Sequence, residues 1–166
     1  MATRSVVFEV DGAQATSGVD FPIFAIDGTT ASIPFYQFSA TVDQGVQFTI
    51  PKVQDYASSP SAVILWNAAS ATTNNVVWDC RFAAQSPADT SGLSSLDFDT
   101  SNAAIAAHSG DEASRYMSNT ISLSATDGLA DGDYLVVSIR RLGTHSSDDM
   151  ADFAQLLGLS IEYSDT

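Results

Sequence analysis

The stretch Val76–Ala84, VVWDCRFAA, alternates without a break: Val76, Trp78, Cys80 and Phe82 fall on one side of an extended chain, Val77, Asp79 and Arg81 on the other. Successive side chains of a β-strand point to opposite faces, so this is the pattern of a strand with one buried side, and it assigns Cys80 to the core. The same period recurs downstream. In YLVVSIRR (134–141), Leu135, Val137 and Ile139 alternate with Val136, Ser138 and Arg140. In LLGLSIEY (156–163), Leu157, Leu159, Ile161 and Tyr163 alternate with Gly158, Ser160 and Glu162. MSNTISLSA (117–125) sets Met117, Asn119, Ile121 and Leu123 against Ser118, Thr120, Ser122 and Ser124, with Asn119 the one polar member of its face.

Upstream, SVVFEV, FPIFAI, IPFYQFSA and VQFTIP are further strand candidates. AVILW (62–66) is continuously apolar and fits a helix by hydrophobicity alone, but its shortness and its Val, Ile and Trp favour a strand. Turn signals separate the runs: Asp-Gly at Asp11, Asp27 and Asp127, Ser-Gly at Gly18, Gly92 and Gly110, and DGD at Asp131–Asp133. Eight or nine short strands divided by such turns predict an all-β fold, an antiparallel β-sandwich with jelly-roll connectivity. With 166 residues the chain holds one such domain (1–166), in which 1–10 is an N-terminal arm or edge strand. Two segments depart from the pattern. Ala88–Ser114 reads as one long polar loop at an edge or interface, and DDMADFAQ (148–155) has room for one or two helical turns.

Composition narrows the function. Hydrophobic residues make up 45% and charged residues 16%, which excludes disorder. The net charge of −14 and only six basic residues leave no positive stripe for phosphates, so neither nucleic acid nor an anionic membrane is an expected partner. The acidity suits solubility, a saline medium or a basic partner. A single cysteine, Cys80, allows no intramolecular disulfide. MATRSVVFEVDG lacks the long apolar run of a signal peptide, and the expectation is a soluble protein made in the cytosol.

Candidate chemistry is sparse. His145 beside Asp148 or Asp149 could supply the base of a Ser-His-Asp triad, with His108 the only other histidine, but no nucleophile elbow accompanies them. Asp97, Asp99 and Ser101, or Asp127, Asp131 and Asp133, could hold calcium in a turn, yet neither set has EF-hand spacing and Asp is a favoured turn residue in its own right. Zinc lacks a second thiol. No spacing singles out a pair of glycosidase carboxylates. Phe35, Tyr36, Phe38, Tyr56, Tyr116 and Tyr134 could form a sugar-binding platform, but aromatics of a β-sandwich mostly fill the space between the sheets, which is the preferred reading, and Trp66 and Trp78 read as core. The expectation is therefore a non-enzymatic protein with no catalytic residues, no metal and no cofactor. Arg140 and Arg141 precede Asp148, Asp149 and Asp152 by one short loop, and alternation turns one arginine outward and the other inward. Ion pairing that fixes the return of the chain into its last strand is the economical reading.

Three pieces, FTIPKVQDYASSPSAVILWNAASATTNNVVWDCRFAA, SNTISLSATDGLADGDYLVVSIRR and SDDMADFAQLLGLSIEY, with the polar loop between the first two, give a pattern over Phe48–Tyr163. It resembles small β-sandwich structural proteins of tailed bacteriophages, of the capsid decoration or cement type. The resemblance implies a virion protein made in the host cytoplasm. Such a protein sits on the outer capsid surface, clamps neighbouring copies of the major capsid protein and forms a homo-oligomer, a trimer by preference. It carries over no site residues. Ala2–Val10 and Ala88–Ser114 are the expected contact segments. The alternatives are a tail-fibre or baseplate accessory module that binds a receptor or carbohydrate and, more distantly, a jelly-roll hydrolase.

Overall fold

The computed structural model describes residues 2–15, 19–27, 32–113 and 115–165. Among these it forms eleven strands: β1 (Thr3–Phe8), β2 (Gln14–Ala15), β3 (Ile23–Asp27), β4 (Ile33–Phe38), β5 (Asp43–Ile50), β6 (Tyr56–Ala68), β7 (Asn75–Gln85), β8 (Asn102–Ala107), β9 (Met117–Ser122), β10 (Tyr134–Leu142) and β11 (Ala154–Asp165). Short 3-10 turns occupy Val10–Gly12 and Leu93–Ser95. The turns expected at Gly18 and after Asp27 fall outside the described residues.

Two antiparallel sheets face each other. One runs β3-β4-β11-β6-β9, with β1 also on β11; the other runs β2-β5-β10-β7-β8. From β4 onward the strands pair as nested couples, β4 with β11, β5 with β10, β6 with β9 and β7 with β8. That is the connectivity of a jelly roll, as the turn-punctuated strands predict. β1 is a strand from Thr3 to Phe8, antiparallel to Ser164–Leu159, and not a free arm.

The core lies between the sheets. Val76, Trp78, Cys80 and Phe82 of β7, Leu135, Val137 and Ile139 of β10, and Ala62, Ile64 and Trp66 of β6 are all buried within it. The Trp66 and Trp78 rings meet edge to face at 6.0 Å, and Phe38 meets Trp78 in the same way at 5.3 Å. Such edge-to-face contacts are the favoured arrangement of two ring quadrupoles. Asn119, the polar exception on its face, accepts a 2.5 Å hydrogen bond from Trp66 Nε1 and so satisfies a buried indole.

Four expectations need correction. There are more than eight or nine strands, because β2 and β8 are added. The segment 88–114 is not one loop: β8 lies inside it, an edge strand too rich in alanine to register as one. DDMADFAQ forms no helix. The Asp148 and Asp149 carboxylates instead accept the Val77 and Asn75 backbone N–H groups, which holds the segment extended along the start of β7. Finally, Leu157 is not in the core. The pairing with β6 steps from Leu156–Trp66 to Gly158–Leu65, a bulge that turns Leu156 and Leu159 inward together and leaves Leu157 half-exposed.

Candidate functional site

The outer face of the β2-β5-β10-β7-β8 sheet carries the polar halves of the alternating strands. Along β10 this face presents Tyr134, Val136, Ser138 and Arg140, and the antiparallel register sets Gln85, Ala83, Arg81 and Asp79 of β7 beside them. On the other flank β5 places Thr49, Gln47 and Gly45 opposite Val136, Ser138 and Arg140. At a strand rise of ~3.3 Å per residue, Tyr134 and Arg140 stand about 20 Å apart along one row.

This face is not flat. The segment between β7 and β8 folds back over it and is tied down by the Asp99 N–H, which donates to Phe82 O at 2.9 Å. Leu93, Leu96 and Phe98 then face Gln47, Ala83, Tyr134 and Val136 across a cavity of about 250 Å³. A neighbouring hollow of about 290 Å³ shares Leu93 and Tyr134 and is rimmed by Gln85, Ser91 and Asp89. At the other end of the row, Val19, Asp20, Val42, Asp43, Arg140 and Thr144 surround a third and larger hollow of about 570 Å³.

The charged end has a defined hydrogen-bond order. Asp79 is fully buried although its strand position faces outward; its Oδ2 accepts from Arg81 Nε at 2.8 Å and its Oδ1 from Ser101 Oγ at 2.7 Å. Asp43 Oδ1 accepts both the Thr144 hydroxyl, at 2.8 Å, and the Thr144 N–H, at 3.0 Å. Arg140 lies between the two carboxylates, 3.7 Å from Asp43 Oδ2 and 3.9 Å from Asp79 Oδ2, and its buried Nε has no hydrogen-bond partner among the described residues. Burial first, and then the nearby Arg81 charge, hold the Arg140 guanidinium below the usual arginine range, against the pull of Asp79 and Asp43.

The residues singled out in the sequence are mostly not brought together. His145 is exposed, and its Nδ1 accepts the Ser147 N–H. Asp148, its supposed triad partner, is turned away into a pair with Arg141. His108 is buried against Trp66, with Nδ1 2.9 Å from Thr72 O and with Nε2 unpartnered among the described residues. The acidic turns are occupied with backbone. Asp99 Oδ2 accepts the Asp127 N–H, Asp127 Oδ2 the Ala84 N–H, and Asp133 Oδ2 the Ala130 N–H. Among the described residues no three His, Cys, Asp or Glu side chains converge as a metal site. The Asp127 N–H first, and then the Thr100 N–H, hold the Asp99 carboxyl below the ordinary carboxylate range.

The six aromatics weighed as a platform are not brought together, and three of them are buried, as aromatics of a β-sandwich mostly are. Phe35, Tyr36 and Phe38 are buried, Tyr56 packs on Tyr163, and Tyr116 is exposed elsewhere. Of the six, only Tyr134 reaches the groove, where Phe98 is the member that sequence reasoning missed; one aromatic in a polar loop carries no periodic signal. Arg140, which the alternation turns outward, lines the hollow at the other end of the row.

No protein-family model matches the sequence, and no curated protein sequence does. Solved structures of similar shape do exist. The chain is similar to the CBM22-2 xylan-binding domain of Paenibacillus barcinonensis Xyn10C, with TM-score 0.52, 9% identity, and 97% of this chain and 99% of that one covered. It is similar to a family 35 carbohydrate-binding module from Clostridium thermocellum, with TM-score 0.51, 10% identity, and coverage of 95% and 97%. It is also similar to the CBM22-1 domain of the same Paenibacillus barcinonensis protein, with TM-score 0.50, 10% identity, and coverage of 95% and 89%. At these identities the likeness is one of fold: a β-sandwich.

Proposed function

We propose that this chain is a non-catalytic carbohydrate-binding module and that it takes its ligand along the outer face of the β2-β5-β10-β7-β8 sheet. The observation that carries the reading is the row from Tyr134 to Arg140, walled on one side by Phe98 and Leu93. A pyranose presents an apolar C–H face and an equatorial rim of hydroxyls. The first suits a tyrosine ring that is apolar in body and polar at its tip, and the second suits Gln47, Gln85, Asp43 and Arg140. An open groove with a few convergent polar groups binds such a chain without needing a nucleophile or a metal. Neighbours of the same fold that are named as carbohydrate-binding modules support the reading, although fold alone does not fix function. Affinity electrophoresis through gels containing soluble polysaccharides tests it. At least one polysaccharide is expected to retard the protein, and Tyr134→Ala to migrate as if none were present. Unretarded migration in every gel would sink the reading.

A second reading rests on a different surface. Phe21, Ile23, Phe24, Ile26 and Ile33 are exposed along β3 and β4, an apolar strip at the edge of the other sheet. Such a strip on a protein of net charge −14 suits a protein partner. The partner we propose for it is the major capsid protein, on which the chain would sit as a trimer at the outer surface of a virion. Quantitative mass spectrometry of purified particles decides it: near-equal abundance with the shell protein is expected, and absence from particles would remove it.

A further inference from the structure

We infer that the groove selects an uncharged polyhydroxylated chain over acidic or cationic ones, and that Arg140 is the residue that reads its hydroxyls. This deepens the carbohydrate reading above and rests on it. The starting point is an imbalance between two neighbouring arginines. Arg141 spends its guanidinium on five hydrogen bonds inside the fold: Nε and Nη2 to Asp148, Nη2 also to Met150 O, and Nη1 to Phe38 O and Asp152 O. Arg140 makes none at hydrogen-bond distance among the described residues. The Asp43 and Asp79 carboxylates stand 3.7 and 3.9 Å from it, and it lines the hollow of about 570 Å³. A mostly buried guanidinium whose donors are unused is costly to leave so, and a ligand that supplies oxygen acceptors relieves that cost.

The charges around Arg140 decide which oxygens. A carboxylate or sulfate brought to Arg140 would meet Asp43 and Asp79 within 4 Å of the same guanidinium, with Asp20 on the rim of the hollow. A cationic ligand would meet the Arg140 guanidinium itself, and the nearest carboxylates already face arginines, Asp79 paired with Arg81 at 2.8 Å and Asp43 3.7 Å from Arg140. Either charge is disfavoured at this distance. A hydroxyl both donates and accepts, so it can take an N–H from Arg140 and give its own proton to Asp43 Oδ2, whose partner oxygen is committed to Thr144. Adjacent hydroxyls on one sugar fit this alternation of donor and acceptor.

The test is a titration of the full chain against three sets of soluble polymer: mixed-linkage β-glucan and arabinoxylan, polygalacturonate and alginate, and chitosan. The neutral set is expected to bind at least tenfold more tightly than the other two. Arg140→Met, which keeps the aliphatic stem, is expected to weaken neutral binding about tenfold. Asp43→Asn, which keeps the shape and removes one charge, is expected to narrow the gap between neutral and acidic polymers. Thermal melts report that each variant is folded, and the two act on opposite partners, so one unfolded variant leaves the other decisive. Tighter binding of acidic polymers or chitosan overturns the selectivity while the carbohydrate reading stands, and so does an Arg140→Met protein that binds as well as the parent. Binding to none of the three sets overturns the carbohydrate reading itself.

Discussion

Arg140 and Arg141 are consecutive, and the pleat of β10 sends them to opposite faces of one sheet. Arg141 is fully buried and closes a two-point pair with Asp148, Nη2 to Oδ1 at 2.7 Å and Nε to Oδ2 at 3.0 Å. The paired carboxylate and three backbone carbonyls leave none of its donors unused. The two arginines therefore divide cleanly into one that holds the 143–153 loop and one that faces the groove.

Removing one partner of that pair leaves a buried charge uncompensated. Asp148→Ala is expected to lower stability by about 3–5 kcal/mol. Arg141→Met with Asp148→Leu is expected to cost less than the single change, because no isolated charge remains. Urea unfolding monitored by tryptophan fluorescence, run on both, checks the ordering.

Asn119→Ala withdraws the acceptor from the buried Trp66 indole at a part-buried site. The expected cost is about 1–3 kcal/mol, read from the shift of the same unfolding midpoint. Ser118→Ala, one residue away on the exposed side of β9, should leave the midpoint nearly unchanged.

Gly143 is required by space. A Cβ there would sit 2.8 Å from Val42 O and 2.9 Å from Ser39 O, both backbone atoms that have no room to yield. Gly143→Ala is expected to destabilise by about 1–3 kcal/mol, as overpacking does. Gly12→Ala, where a Cβ meets nothing within 4 Å, serves as its control in calorimetry.

The pH dependence has a definite sign. Asp99 is held below its ordinary value by the Asp127 N–H, then by the Thr100 N–H. A depressed carboxyl stabilises the fold above the unfolded-state pKa, and that contribution disappears as pH falls through the lower, folded value. The tie between the 96–101 segment and the Asp127 turn should therefore loosen only in acid. The protection of the Asp127 amide, relative to its intrinsic exchange rate at each pH, is expected to fall there, and Asp99→Asn to abolish the dependence.

Cys80 lies in the core with its thiol pushed up by burial and then by the Asp79 charge. A thiol, not a thiolate, is expected at neutral pH, so a disulfide reagent should label the native protein negligibly and the urea-unfolded protein fully.

Much of the sandwich is legible in the sequence because a half-buried strand writes its period into the chain. VVWDCRFAA and YLVVSIRR show their faces directly, and each becomes a central strand of one sheet. β8 does not, since Asn102–Ala107 is stabilised as an edge by pairing to β7 and not by large inward side chains. The bulge at Leu157 is equally hidden: a one-residue register step depends on the partner strand, which local sequence does not encode. The groove is the least legible part. Phe98 comes from a loop and Tyr134 from the outward half of a strand, and only the fold-back of the 86–101 segment makes them walls of one space; Arg140, at the far end of the same row, lines a separate hollow. That His145 and Asp148 do not form a pair follows from the stronger claim of Arg141 on the carboxylate.

The nested couples of the roll have a kinetic consequence. β11 is hydrogen-bonded to β1, β4 and β6 and follows all three in chain order. Until it emerges, β6 and β4 carry open edges and the face of Trp66 has no completed sheet around it. Productive pairing must then wait for distant segments of chain to meet, which makes folding slow for a protein of this size and puts its aggregation risk in the seconds of synthesis before β11 arrives.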